Sequence, residues 1–196
     1  MLYNNYVEKL FGNKTKIAML RAFYKIPDKI WSSRDLAKFI GTYNTTILDN
    51  LGDLEDMGLI YIGMHGHVKT IKLNKESFVF TDVVKTIFRK EGDTFKELIE
   101  TIKTIINKKD VELLAVFGSI VEKKEKPASD IDLLIVTRNK EKIDKLLTEK
   151  QCFISSRFGN EISPHIMSPQ EFKGKQSTPY IKEAKKNYVI IHGEWL

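Results

Sequence analysis

Apolar residues recur with helical spacing between Lys14 and Lys25. Ile17, Leu20, Phe23 and Tyr24, joined less firmly by Ala22, form one stripe, which Pro27 ends. A second helix is predicted behind Ser32 or Ser33, either of which can cap it, with Arg34, Asp35 and Leu36 in its first turn. Leu36, Phe39 and Ile40 share one face of that helix, and Gly41 is its natural stop. A third helix begins near Tyr43 or Asn44, carries Ile47, Leu48, Leu51, Leu54 and Met57, and stops at Gly58. Residues 59–64 and 68–73 then read as two strands joined around His65-Gly66-His67.

Residues 76–108 read as helical in two pieces, broken around Glu91-Gly92-Asp93. Val79, Phe80, Val83, Val84, Ile87 and Phe88 stripe the first; Phe95, Leu98, Ile99, Ile102, Ile105 and Ile106 stripe the second. Such stripes are packing surfaces, suited to joining two domains or to forming a homodimer interface. Beyond them, residues 111–116 read as a buried strand and 131–136 as another. An amphipathic helix over 140–149 turns Ile143, Leu146 and Leu147 inward. A strand within 159–167, a short helix from Pro169, a helix over 180–186 and a strand over 188–191 complete the pattern. The fold class is therefore mixed α+β. Three helices and a β-hairpin occupy residues 1–75, a helical connector 76–109, and a small α/β domain with a mixed sheet 110–196.

Composition narrows the function classes. A chain of 196 residues holds one large domain or two small ones, and either buries an adequate core. The one cysteine, Cys152, excludes an internal disulfide and a cysteine-rich metal site. The polar start of the chain is unlike a signal peptide, and no apolar run approaches a membrane span, so the expectation is a cytoplasmic protein with no membrane partner. A net charge of +6 permits a polyanionic partner. His65 and His67 flank a glycine at a hairpin tip with no third ligand nearby, which makes them exposed residues rather than metal ligands. Trp31 and Trp195 read as core or interface aromatics.

The candidate chemistry lies in Phe117-Gly118-Ser119 and, after ten intervening residues, Asp130-Ile131-Asp132. Asp130 and Asp132 stand at i and i+2 of a strand start, so their carboxylates project to one side. A Gly-Ser turn leaving the preceding strand offers backbone N–H groups to phosphate oxygens. Beside it, paired carboxylates form half of a hard-cation site suited to Mg²⁺ on a triphosphate.

Gly118, Ser119, Asp130 and Asp132, with Pro127 and Ser129 in the intervening loop, resemble the DNA polymerase β-like nucleotidyltransferases, in particular their minimal prokaryotic branch. The resemblance implies an NTP donor, Mg²⁺ or Mn²⁺ as cofactor, and transfer of a nucleoside monophosphate to an acceptor hydroxyl. It assigns Gly118 and Ser119 to the β- and γ-phosphates and Asp130 and Asp132 to the metal. It also implies a third carboxylate on a neighbouring strand. Here 163–169 puts His165 where that aspartate is expected, while Glu161 lies four residues earlier on the same strand face. Neutral His165 can accept a proton but is a poor Mg²⁺ ligand. Many relatives carry Arg-Gly after the Gly-Ser turn where this chain has Glu122-Lys123, and Lys123 or Lys124 restores positive charge.

The first third, by its order of helices and hairpin, resembles the winged helix-turn-helix domains of prokaryotic regulators, which generally act as dimers on double-stranded DNA. That resemblance puts Tyr43, Asn44, Thr45 and Thr46, at the start of the third helix, against base edges or phosphates. Arg34 and Lys69, with Lys14, Lys16, Lys38 and Lys72, would hold the backbone. Residues 1–75 carry 11 Lys/Arg against 7 Asp/Glu, a surplus of only +4, and Asp49, Asp53, Glu55 and Asp56 make the later turns of the third helix acidic. Winged helices also serve protein–protein contacts. The readings are thus a DNA-binding nucleotidyltransferase, a regulator whose second domain senses nucleotide or dimerises, and an antitoxin-like nucleotidyltransferase with a helical toxin partner.

Overall fold

A computed structural model describes residues 6–126, 129–175 and 178–195, and Pro127 lies outside them. The chain forms two compact units, Met1–Thr94 and Phe95–Leu196, so the helical stretch 76–109 is divided between them.

In the first unit, α1 (Tyr6–Phe11) and α2 (Lys14–Lys25) precede a short strand β1 (Trp31–Ser32). Then come α3 (Ser33–Ile40), α4 (Asn44–Asp56), β2 (Ile60–His65) and β3 (Val68–Leu73). Local chemistry sets these bounds. Asn13 caps α2 by accepting from the Thr15 and Lys16 amides, and the Ser32 hydroxyl accepts from the Asp35 amide at 3.0 Å. Gly41, at φ 75°, closes α3 in the left-handed conformation. The sheet has the order β1-β3-β2, antiparallel throughout, which makes the unit a winged helix. Helix α1 and strand β1 extend the expected pattern; β1 is too short to carry a period, and pairing with Ile71 fixes Trp31 in the core. Asn13 donates to Asn50 at 2.9 Å and Lys16 pairs with Asp53, tying the start of α2 to α4.

A π-helical turn, Val79–Val84, runs directly into α5 (Lys85–Ile105). The break expected around Glu91-Gly92-Asp93 is absent, and the backbone changes type before Lys85 instead. An interior glycine costs a helix only about 1 kcal/mol against alanine, too little to end one whose apolar residues are buried on both sides. Those stripes are core: Val79, Phe80, Val84 and Phe88 in the first unit, Leu98, Ile99, Ile102 and Ile106 in the second. Ile87 of the first stripe is by contrast exposed, and Val83, Phe95 and Ile105 are half-buried.

The second unit contains β4 (Leu113–Phe117), α6 (Ser119–Glu122), β5 (Ile131–Val136) and α7 (Lys140–Phe158), then β6 (Ile162–Met167), α8 (Pro169–Gly174), α9 (Pro179–Lys186) and β7 (Tyr188–Gly193). Helix α7 outruns the expected 140–149 because buried Ile154 continues the stripe of Ile143 and Leu147; Gly159, at φ 79°, then ends it. The mixed sheet has the order β6-β5-β4-β7, with β5 parallel to β6 and the other pairs antiparallel. One face packs Leu114, Val116, Leu133 and Ile135 against apolar residues of α5 and α7. The other packs Leu113, Phe117, Leu134 and Val136 with Phe172, Ile181 and Ala184, and Trp195 joins it against Phe172 and Tyr188. Among the described residues, no helix is long and apolar enough to cross a membrane.

The turn after β6 is locked by a capping box at the start of α8. The Ser168 amide donates to Glu171 at 2.7 Å, the Glu171 amide donates to the Ser168 hydroxyl at 3.2 Å, and Lys140 adds an ion pair at 3.0 Å. The Ser168 amide, then Lys140, hold the Glu171 carboxyl down from 4.5 to about 2. Because the folded value is the lower one, this stabilisation is complete above 4.5 and is lost as the pH falls through about 2. The Ser168 amide resonance is expected to titrate with that low midpoint, and a Glu171→Ala variant to lose the transition.

Candidate functional site

Strand pairing assembles the second unit's site. Phe117 is opposite Asp132 across the β4–β5 pair, while Asp132 is in register with Ser163, and Leu134 with His165, across the β5–β6 pair. Asp132, Ser163 and His165 thus share a sheet face with Phe117 and gather at one end of it. Gly118 leaves β4 at φ 81°, ψ −158°, a conformation open essentially to glycine alone. A Cβ there would collide with the Asp132 carboxylate, standing 3.2 Å from its Cγ. The glycine therefore permits the turn and makes the space that the carboxylate fills. Ser119 begins α6, whose first N–H groups have no partner within the helix.

The electrostatics follow from burial. The Asp132 side chain keeps 29% of its exposure and faces His165, with 3.7 Å between Oδ1 and Nε2. Burial pushes the Asp132 carboxyl up, facing His165 opposes this, and the charge of Asp130 adds to the rise. Asp130 itself is exposed just ahead of β5. The His165 ring rests against Phe117, centroids 5.5 Å apart, and Nε2 lies 3.4 Å from the Ser163 hydroxyl.

The structure therefore brings Gly118, Asp132 and His165 together, with Ser119 and Asp130 flanking them. It leaves Glu161 exposed ahead of β6, contributing its carbonyl to the Ile131 amide at 2.8 Å. Lys123 is exposed in the left-handed region at φ 56°, ending α6. Glu122 points to Lys124 at 2.9 Å and Asn187 at 3.3 Å, an arrangement that partly neutralises it. Ser163 is the residue that the motif reading passed over; alternation with Glu161 and His165 was its signal. Among the described residues no cluster of three or more His, Cys, Asp or Glu could hold a metal. Asp130 and Asp132, close enough for the charge of one to raise the other's carboxyl, are oxygen donors of the kind Mg²⁺ takes, one or two carboxylates together with phosphates.

Residues 100–171 match the polymerase beta nucleotidyltransferase family. The second unit carries a polymerase β-type nucleotidyltransferase domain. The match spans every residue of the nucleotidyltransferase site named above from Gly118 to His165. No curated protein matches the chain. Among solved structures, the N-terminal region resembles winged-helix regulators. MepR, a transcription regulator of the Staphylococcus aureus multidrug efflux pump MepA, is 21% identical, with a TM-score of 0.39 over 50% of this chain and 78% of its own. NolR from Sinorhizobium fredii is 13% identical, with a TM-score of 0.36 over 46% and 80%. Lactococcus lactis ZitR, solved in complex with DNA, is 15% identical, with a TM-score of 0.35 over 43% and 60%.

In the winged-helix unit, Arg34 of α3, Asn44 of α4 and Lys69 of β3 line one groove of about 420 Å³, together with Ser33, Leu48, His67 and Val68. Tyr43 is 81% exposed at the head of α4, Thr45 is exposed, and Thr46 is half-buried. His65 and His67 are exposed on the hairpin. The acidity of α4 is partly spent inside the unit. Asp53 pairs with Lys16, whose hydrogen bond pulls the Asp53 carboxyl down, and Glu55 accepts from the Ile62 amide at 3.0 Å. Asp49 and Asp56 stay exposed on the face of Thr45.

Proposed function

We propose that the chain is a DNA-binding protein whose nucleotidyltransferase domain binds a divalent metal–NTP complex and transfers its nucleoside monophosphate to an acceptor hydroxyl. The observation that carries the nucleotide half is the Gly118–Asp132 contact: a turn open only to glycine, shaped around a half-buried carboxylate at the end of the sheet. On this reading the Gly118-Ser119 turn receives the β- and γ-phosphates, and Lys123 or Lys124 adds positive charge at the loop. Asp130 and Asp132 hold the ion, Mg²⁺ or Mn²⁺, which supplies charge neutralisation at the phosphates. His165, or Glu161 after movement of its segment, receives the proton of the acceptor hydroxyl. Calorimetric titration of the four NTPs with metal tests it: metal-dependent binding lost in an Asp130→Asn/Asp132→Asn variant supports the site, and no binding by wild type removes it.

The DNA half rests on the groove shared by Arg34, Asn44 and Lys69. Tyr43, Asn44, Thr45 and Thr46 would meet base edges while Arg34 and Lys69 hold phosphates. Arg34→Ala and Lys69→Ala are each expected to weaken binding to any duplex and to lower the salt-dependence slope by about 1. Binding that ignores salt would overturn this assignment. A dimer on DNA would use exposed apolar residues such as Phe78 and Ile87, and sedimentation would detect it.

A second reading has its own support. Glu161 is exposed outside β6 and His165 stands where a third carboxylate is expected, which favours a regulator that senses nucleotide without turning it over. Nucleotide binding that changes DNA affinity, with no pyrophosphate released, would select it.

A further inference from the structure

His165 is a poor partner for Mg²⁺, yet the fold holds it with care. Its ring is braced by Phe117, centroids 5.5 Å apart, and Nε2 is 3.7 Å from Asp132 Oδ1 and 3.4 Å from the Ser163 hydroxyl. The Asp132 separation is longer than a hydrogen bond. It is also less than twice the roughly 2.1 Å at which oxygen and nitrogen donors bind small divalent ions, so both atoms can reach one ion. The two side chains keep 32% and 29% of their exposure, enough for an ion to arrive with its triphosphate. Carboxylate oxygen with imidazole nitrogen is a donor set that first-row transition ions accept and Mg²⁺ largely declines.

We propose that His165 Nε2 and Asp132 Oδ1 are joint ligands of the nucleotide-borne ion, and that the domain therefore prefers a first-row transition ion such as Mn²⁺ to Mg²⁺. The proposal rests on the metal–nucleotide reading above, and with His165 on the ion it leaves Glu161 as the acceptor of the hydroxyl proton.

Pulsed electron paramagnetic resonance of Mn²⁺ with α,β-methylene-ATP, on protein labelled with ¹⁵N-histidine, tests it directly. The label separates imidazole from adenine nitrogen. The expected result is a ¹⁵N coupling in wild type that disappears in His165→Gln, with Mn²⁺ binding weakened about tenfold and Mg²⁺ binding almost unchanged. A His165→Asp variant is expected to reverse the preference toward Mg²⁺. Mn²⁺–nucleotide bound without histidine coupling in wild type overturns this proposal and leaves the nucleotide site standing. Failure of wild type to bind the nucleotide with either ion overturns both. The wild-type spectrum decides even where a variant fails to fold, which circular dichroism reports.

Discussion

An Asp132→Asn variant is expected to lose metal–ATP binding and any nucleotidyl transfer by about 100-fold or more while unfolding no more easily than wild type. The two halves of that expectation come from one environment. The carboxylate sits half-buried beside Gly118, with Asp130 adding like charge, and its pKa is raised. For an acid whose folded pKa is the higher one, ionisation opposes folding. The penalty is absent below the ordinary carboxylate range, grows as the pH rises toward the raised value, and is fully present above it. Asparagine keeps the shape, removes the charge, and so relieves the penalty at neutral pH. A side chain retained for packing would behave in the opposite way, costing stability with little effect on binding. Calorimetry with Mn²⁺ or Mg²⁺ and ATP, paired with thermal unfolding at neutral and acid pH, separates the two. Full binding by the variant would end the assignment.

Much of the fold was legible because the elements that build it have strong local signals. Lys14–Lys25 carries a helical stripe closed by Pro27, α3 has a serine cap and a left-handed glycine, the β4 run is continuously apolar, and β5 is apolar but for Asp132. What escaped the pattern had none. Strand β1 is too short to alternate, and its burial is decided by pairing with β3. The helix through Gly92 continues because flanking stripes lie in two cores, which no local window reveals. The site divides in the same way. Asp130 and Asp132 declare themselves by spacing, and Gly118 by its place after a buried strand. Whether Glu161 or His165 faces Asp132 depends on the parallel register of β5 and β6, which is set by long-range packing. The acidity of α4 was legible, but not its partial use inside the unit, where Asp53 pairs with Lys16, 37 residues away, and Glu55 accepts from the Ile62 amide.

Gly118→Ala is expected to destabilise the second unit, costing about 1–3 kcal/mol from backbone conformation alone and more from the collision with Asp132. The two costs can be separated. Gly159 shares the positive φ, 79° against 81°, at the milder left-handed ψ of 3°, and has nothing within 4 Å of where its Cβ would stand. Gly159→Ala therefore reports conformational strain without a clash, and is expected to lose about 1 kcal/mol as a helix-ending glycine. The clash at Gly118 involves the end of the Asp132 side chain, so Asp132→Ala should remove it and leave the strain. Denaturant unfolding of the double-mutant cycle is expected to show Gly118→Ala costing less in the Asp132→Ala background than in wild type, a coupling that non-neighbours do not show. In the protein with Asp132 intact, the carboxylate is the part free to move, and the methyl would push it away from the phosphate turn. Nucleotide affinity should then fall even under conditions where the fold survives. Additive losses would mean that Gly118 serves only its backbone angle and that the carboxylate's position beside it is incidental.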